Sequence, residues 1–147
     1  MTATNHALTG AVIGLVIQNP AIALPAALAS HLVCDAIPHF GSNKDWIAKN
    51  SFALYLLIEA FICGLLVLLL FVAQPANWLL AAICAFVAAS PDFLSIRAFV
   101  AARQNKPFTP NLLERFLKNI QWFERPIGAA VEAAWFVAGV TILSVFL

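Results

Sequence analysis

Charge is scarce in this sequence. Only 10% of its 147 residues are Asp, Glu, Lys or Arg, whereas about 25% are charged in soluble globular domains. The formal net charge is +1, which leaves no dense basic surface, so we expect no nucleic-acid partner. The sequence also lacks a phosphate-binding glycine loop, an H-E-x-x-H motif and a G-x-S-x-G motif. The signatures of P-loop, zincin and serine-hydrolase proteins are therefore absent.

Apolar residues take the place of the missing charge. They make up 63% of the chain, and the mean hydropathy is +0.91, which predicts a polytopic integral membrane protein with one membrane domain over 1–147. Five apolar segments occur at about 5–18, 21–37, 52–73, 76–89 and 126–147. At ~1.5 Å per helical residue, the third and fifth can cross a ~30 Å hydrocarbon core. The other three are short, and they either cross a thinned bilayer or enter it partway.

A different pattern predicts a helix over 109–125. Its apolar residues recur at helical spacing, with polar residues between them, and Thr109-Pro110 resembles a cap followed by a first-turn proline. We expect an amphipathic helix in the membrane surface, or one that covers the domain from the cytoplasmic side. The predicted fold is thus all-α, with about five membrane helices and one interfacial helix. The apolar positions are Leu112, Leu113, Phe116, Leu117, Ile120 and Phe123.

The positions of the basic residues predict an orientation. All Lys and Arg residues lie either at Lys44 and Lys49 or between Arg97 and Arg125. The positive-inside rule then places both connections in the cytoplasm. In a cell membrane (the inner membrane of a two-membrane cell), the N-terminus would lie on the cytoplasmic side and the C-terminus on the opposite side. Trp46, Trp78 and Trp122 fall at the expected interfaces.

The start M-T-A-T-N-H has no basic stretch, so we expect the first segment to be retained, although Ala27–Ala29 resembles a signal-peptidase site.

This orientation places most ionisable groups of the apolar segments at one level, in the cytoplasmic half of the membrane. Glu59 and Glu132 lie about 10 Å deep from the cytoplasmic side. Because such groups are costly in lipid and usually face a protein interior or a wet cavity, we expect them to share one polar site. The group consists of His6, His31, Asp35, His39, Glu59, Asp92 and Glu132.

His31 and Asp35 are the most informative pair in this group. Their spacing of four residues places them on one helix face, which suits two ligands of one metal ion or a histidine oriented by a carboxylate. Pro38 ends the helix, so His39 can fold back toward the same point.

Each candidate residue also has a simpler interpretation. His31 and Asp35 could be a hydrogen-bonded pair at a helix end, and His6 an ordinary N-terminal residue. His39 could be solvated by lipid headgroups. Asp92, after Ser90-Pro91, could be a first-turn acid favoured by the helix dipole. Glu59 and Glu132 could pair with Arg97, Arg125 or Lys49.

Two stretches carry a family resemblance. N-H-A-L-T-G near the start and S-H-L-V-C-D-A-I-P-H-F at 30–40 resemble the predicted membrane-bound metal-dependent hydrolases, a group that includes LexA-regulated inner-membrane proteins. His6, Gly10, His31 and Asp35 match the pattern, which covers about the first forty residues. Family members often carry a later Arg-x-x-Thr-His-Ser segment, but this chain has no histidine after His39. Acidic residues (Glu59, Asp92 and Glu132) would have to complete the coordination.

These observations give a leading hypothesis of a metal-dependent hydrolase at the cytoplasmic leaflet. The metal ligands would be His6, His31, Asp35 and Asp92. The ion would be zinc by preference, with manganese or iron as alternatives. Glu59 or His39 would act as general base, with Glu132 in the polar core. A shallow site favours a lipid or lipid-linked phosphoester substrate.

Two non-enzymatic alternatives are an ion or proton transporter and a scaffold with a polar core. The residues Gly10 and Gly14 form a small-xxx-small pattern that could bring helices together, including those of a homo-oligomer. The bilayer itself is the remaining expected partner.

Overall fold

We describe the protein from a computed structural model, which covers residues 1–41, 50–122, 124–125 and 127–147. The predictions made above for Lys44, Trp46, Lys49, Phe123 and Pro126 lie outside the described residues.

The described chain is helical, and the predicted segments correspond to helices with shifted ends. A parallel bridge between His39 and Glu124 is the one β-type pairing recorded within the described ranges. The helices are α1 (Ala3–Val16), α2 (Pro20–Ala36), α3 (Asn50–Ala73), α4 (Trp78–Ala89), a 3-10 helix (Ser90–Ser95), α5 (Ile96–Arg103), α6 (Leu112–Ile120) and α7 (Gly128–Ser144).

Helix α1 occupies the centre of the bundle and packs against α2, α3, α4 and α7. Its closest contact is with α4, because Gly10 and Gly14 present no side chain there. A Cβ added at Gly10 would lie 2.7 Å from Ala88 Cβ, and one at Gly14 would lie 2.5 Å from Ala81 Cα. The small-residue pattern therefore joins two helices of the same chain. That face is filled by α4, so the predicted homo-oligomer would need a contact elsewhere.

Two helices are long and apolar enough to cross a membrane. They are α3, with 24 residues, and the continuous helical stretch Trp78–Arg103, with 26 residues. Helices α1, α2 and α7 are apolar but have only 14 to 17 residues. Length and composition therefore support two spans, whereas the expectation of five spans stays a prediction.

Helix α4 ends at Ala89, as predicted for the fourth segment, but the helical stretch does not stop at Ser90-Pro91. The chain continues as a 3-10 helix and then as α5 to Arg103. Pro91 lies in the first turn of the 3-10 helix, where a missing N–H costs nothing. Ser90 does not act as an N-cap, because its hydroxyl donates to the carbonyl of Val87 at 2.9 Å.

The two long helices are mostly unburied within the chain. Large apolar side chains cover their outer surfaces, and Leu57, Phe61 and Val72 of α3 are each about two-thirds exposed or more. A helix that is apolar all round and mostly unburied within its own chain is expected to face lipid.

Helix α6 is shorter than the predicted 109–125. It begins after Asn111, whose side chain accepts from Glu114 N while the Glu114 carboxylate accepts from Asn111 N. This reciprocal capping box replaces the expected Thr109-Pro110 cap. Glu114 was expected on a solvated face, but it is buried and accepts a 2.8 Å bond from Arg97. The apolar residues Leu112, Leu113 and Phe116 are exposed, as expected for a helix at a membrane surface.

Candidate metal centre

A buried cluster of two histidines and one aspartate lies where α1 begins and α2 ends. The short connection at 17–19 folds these helices back on each other, so His6 near the start of α1 meets His31 and Asp35 in the last turns of α2. One ligand atom from each residue lies within 4.8 Å of the others. All three side chains are essentially inaccessible to solvent. We refer to these three residues as the His–His–Asp cluster.

The distances in the cluster suit ligands of one ion. His6 Nε2 lies 3.1 Å from Asp35 Oδ1, and His31 Nε2 lies 3.3 Å from Asp35 Oδ2. Metal–ligand bonds of ~2.0 Å in a tetrahedral zinc site hold neighbouring ligand atoms ~3.3 Å apart. The predicted placement of His31 and Asp35 on one helix face is thus seen in the structure.

The hydrogen bonds of His31 constrain its protonation. Its Nδ1 lies 2.9 Å from the backbone oxygen of Ala88. Because a carbonyl oxygen only accepts, Nδ1 carries a proton, and a neutral ring then presents an unprotonated Nε2. That nitrogen faces a carboxylate oxygen, so the pair needs a positive charge between its atoms. A second proton on His31 or a bound cation would supply it.

His6 adds the second imidazole. Its ring stacks on His31 with 4.0 Å between centroids and 26° between planes. Nδ1 of His6 is buried and has no hydrogen-bond partner within the described structure. An orphaned nitrogen of this kind is uncommon, and it indicates a site whose full set of partners is not supplied by the protein alone.

Asp35 is fixed from several sides. Gln121 Nε2 donates to Oδ2 at 3.0 Å, and the amino group of Met1 lies 2.5 Å from Oδ1. Gln121 follows α6 directly, so this bond links the amphipathic helix to the end of α2. Such outer contacts orient a ligating carboxylate.

Asp92, in the 3-10 helix, interacts electrostatically with His6, His31 and Asp35. Its carboxylate does not join the group whose ligand atoms lie within 4.8 Å of one another. The structure therefore brings Asp92 toward the cluster as a nearby negative charge, and its predicted role as a fourth ligand has no ligand-like spacing here.

His39 lies apart from the cluster. Its Nδ1 donates to Ile37 O at 2.9 Å, and its Nε2 lies 3.9 Å from Glu124 Oε1. Its backbone oxygen accepts from Arg125 N at 3.0 Å, and Gly128 packs directly on its backbone. Instead of folding back toward His31 after Pro38, His39 is held against the segment that leads into α7. It is also buried rather than solvated.

Glu59 and Glu132 form a second acidic region beside α1. Glu59 Oε2 accepts from Thr4 N at 2.9 Å and from Thr4 Oγ1 at 2.7 Å. Glu132 Oε1 accepts from Phe40 N at 3.2 Å. Arg97 pairs with Glu114 rather than with either of them, so the suggested pairing with Arg97 is wrong, and Lys49 is outside the described residues.

Three residues at the site were not anticipated from the sequence. Gln121 was expected on the polar face of the amphipathic helix, and Thr4 and Asn5 were not among the candidate residues. Asn5 Nδ2 donates to Glu132 O at 3.1 Å. The polar run T-N-H at 4–6 within an apolar helix is the one signal that could have identified Thr4 and Asn5.

Comparison of the chain with family models, curated proteins and solved structures gave no match. The resemblance of the first forty residues to metal-dependent hydrolases therefore stays a prediction, and function has to be inferred from the site itself.

Proposed function

We propose that this protein is a membrane-embedded, divalent-metal-dependent hydrolase whose ion is held by the His–His–Asp cluster. The observation that carries the proposal is the facing pair of His31 Nε2 and Asp35 Oδ2, which needs a positive charge between its atoms. A metal ion supplies that charge and would be bound by His6 Nε2, which lies 3.1 Å from Asp35 Oδ1.

The donor set fits a first-row metal. Two imidazoles and one carboxylate are the ligands of several catalytic zinc sites, which keep a fourth position open. Manganese and iron accept the same donors. The bond from His31 to Ala88 O and the bond from Gln121 to Asp35 are the outer contacts expected around such ligands.

The proposed reaction is ester hydrolysis. A bound divalent ion would lower the pKa of a water molecule and stabilise negative charge on the substrate oxygen. Asp92 would accept the proton of the attacking water as its oxygen bonds to the phosphorus or carbonyl carbon. The bond to the leaving oxygen then breaks, and Asp92 returns the proton to it. Asp92 takes this role in place of the two expected bases, since Glu59 is bonded to Thr4 and His39 lies against Glu124.

The setting supports a lipid or lipid-linked phosphoester as substrate. Exposed apolar side chains cover α3 and the apolar face of α6, so the molecule presents apolar surface that suits contact with lipid. In the orientation inferred from the basic residues, the cluster would lie in the cytoplasmic half of the inner membrane, just below the lipid headgroups.

Metal content of the full-length protein in detergent tests the proposal. We expect about one ion per chain, and we expect His31→Ala and Asp35→Asn to lose it. His39→Ala is the matched control, since it removes a buried histidine outside the cluster and should keep the ion. Equal metal content in the wild type and the three variants, or no metal in the wild type, contradicts the proposal.

A second measurement separates catalysis from binding. The metal-loaded protein is incubated with lipid-linked phosphoesters, and release of the headgroup is followed before and after treatment with a chelator. We expect release that chelation abolishes and zinc restores. A metal-loaded protein that releases nothing would favour the non-enzymatic alternative, a scaffold or transporter with a polar core.

A further inference from the structure

A groove with a polar end and an apolar end runs along α1 between α3 and α7. Its polar part is a cavity of about 440 Å³, and its apolar part is a cavity of about 220 Å³. Thr4, Ile62 and Phe136 line both cavities, so the two are adjacent along the same helices. This groove is separate from the His–His–Asp cluster, none of whose residues lines it.

The polar end carries two acidic side chains, and the amino group of Met1, which is bonded to Asp35, acts on Glu132 only through space. Glu59 and Glu132 both line it, and their recorded partners are a backbone N–H and hydroxyl of Thr4 and the N–H of Phe40. Among the described residues, no Lys or Arg forms an ion pair with either carboxylate. Two carboxylates without a paired cation, in apolar surroundings, leave a costly charge for a ligand to neutralise.

An unsatisfied amide lies at the same end. Asn5 lines the cavity, is 2% exposed, and donates through Nδ2 to Glu132 O. Its Oδ1 has no hydrogen-bond partner within the described structure. Besides the hydroxyls of Thr2, Thr4 and Tyr55, the polar end thus offers three acceptor groups to a ligand: two carboxylates and one amide oxygen.

The apolar end matches a hydrocarbon chain. It is walled by Leu65, Leu66 and Leu69 of α3 and by Val140 and Leu143 of α7. Both helices also expose apolar side chains outward, so a lipid tail can lie in the groove without crossing a polar surface.

We propose that this groove binds one amphiphile that has a primary ammonium headgroup and an acyl tail. The ammonium would donate its three N–H bonds to Glu59, Glu132 and Asn5, and the tail would lie between α3 and α7. A bare metal ion fits less well, because among the described residues no third His, Cys, Asp or Glu joins Glu59 and Glu132 in a group with ligand spacing, and the apolar cavity would stay unused. The inference goes beyond the proposed hydrolase and does not require a bound metal.

Native mass spectrometry of the full-length, chelator-treated protein in detergent tests this inference. The probe is an equimolar mixture of two phospholipids with identical acyl chains, one with an ethanolamine and one with a choline headgroup. We expect the ethanolamine lipid to be retained about tenfold more, because only its ammonium can donate charge-assisted hydrogen bonds. Chelation keeps the result independent of the metal hypothesis.

Variants assign the preference to the groove. Glu59→Gln and Glu132→Gln keep an oxygen for Thr4 and Phe40 but remove the charge, and each should bring the two lipids toward equal retention. Glu124→Gln is the control, since Glu124 is a half-exposed carboxylate outside the groove, and it should keep the preference. Val140→Phe should reduce retention of both lipids alike, because it fills the apolar end.

Three results would overturn the inference. The first is equal retention of both lipids by the wild type. The second is an equal loss of the preference for the ethanolamine lipid in Glu124→Gln and Glu59→Gln. The third is retention of a divalent cation on Glu59 and Glu132 in place of the lipid. Thermal unfolding of each variant, compared with the wild type, separates loss of binding from loss of the fold.

Discussion

The close contact between α1 and α4 predicts how the protein responds to one added methyl group at Gly10. In Gly10→Ala the new Cβ would lie 2.7 Å from Ala88 Cβ and would also overlap the backbone oxygen of Cys84. Carbon atoms in contact are ~3.5–4.0 Å apart, so the helices have to separate by roughly 1 Å. Overpacking of this kind costs about 1–3 kcal/mol. A loss of that size lowers Tm by about 3–10 °C in a chain of this length.

Gly10→Ala should also weaken metal binding by the His–His–Asp cluster. Ala88, which meets the new methyl group, also supplies the carbonyl oxygen that orients His31. Moving α4 away from α1 therefore shifts the acceptor of the His31 Nδ1–H bond. Because loss of an outer contact commonly lowers metal affinity about 10- to 100-fold, we expect Gly10→Ala to retain less zinc during dilution as well as to melt earlier.

Gly64→Ala is the matched control, since a Cβ at Gly64 has nothing within 4 Å. Both variants are purified in the same detergent, and thermal unfolding and zinc retention are measured side by side. A Gly10→Ala protein that melts and retains zinc like Gly64→Ala would refute the close packing of α1 on α4.

Four further predictions concern the site and its surroundings. Metal retention should fall as pH drops below about 6.5, because protons then compete with the ion for the imidazoles; titration against a metal indicator measures this, and pH-independent retention would contradict it. Asp92→Asn should keep the metal but lose hydrolysis, and parallel loss of both would make Asp92 a ligand instead. Glu114→Ala should lower stability by about 1–2 kcal/mol, since it removes the carboxylate that accepts from Asn111 N in the capping box and that pairs with Arg97; an unchanged melting curve would contradict this. A reporter enzyme fused after Leu147 should be active only outside the cytoplasm, and activity inside would reverse the proposed orientation.

The sequence predicts the helices well because the apolar runs are long and few other patterns compete with them. Helix ends were less predictable. The end of α4 at Ala89 was predicted, but its continuation to Arg103 was not, because proline is tolerated in the first turn of a 3-10 helix. The cap of α6 depends on a side chain of Asn111 that bonds three residues ahead, and Thr109-Pro110 offered a competing pattern nearby.

The core of the candidate site was predictable from local spacing and from the hairpin. His31 and Asp35 share a helix face through their i, i+4 spacing, and the short turn at 17–19 brings His6 to them. The position of His39 was not predictable, because it is set by a long-range bridge to Glu124. Gln121 and Glu114 face inward through contacts with Asp35 and Arg97, and helical periodicity alone gives no sign of such partners.

Anomalous scattering at the zinc edge, from crystals of the zinc-loaded protein, tests the central claim most directly. The proposed metal centre predicts one peak within about 2.0–2.2 Å of a nitrogen of His6, of His31 Nε2 and of an oxygen of Asp35. A well-ordered cluster with no peak, or a peak bound by other residues, would contradict the metal centre and the hydrolase proposed from it.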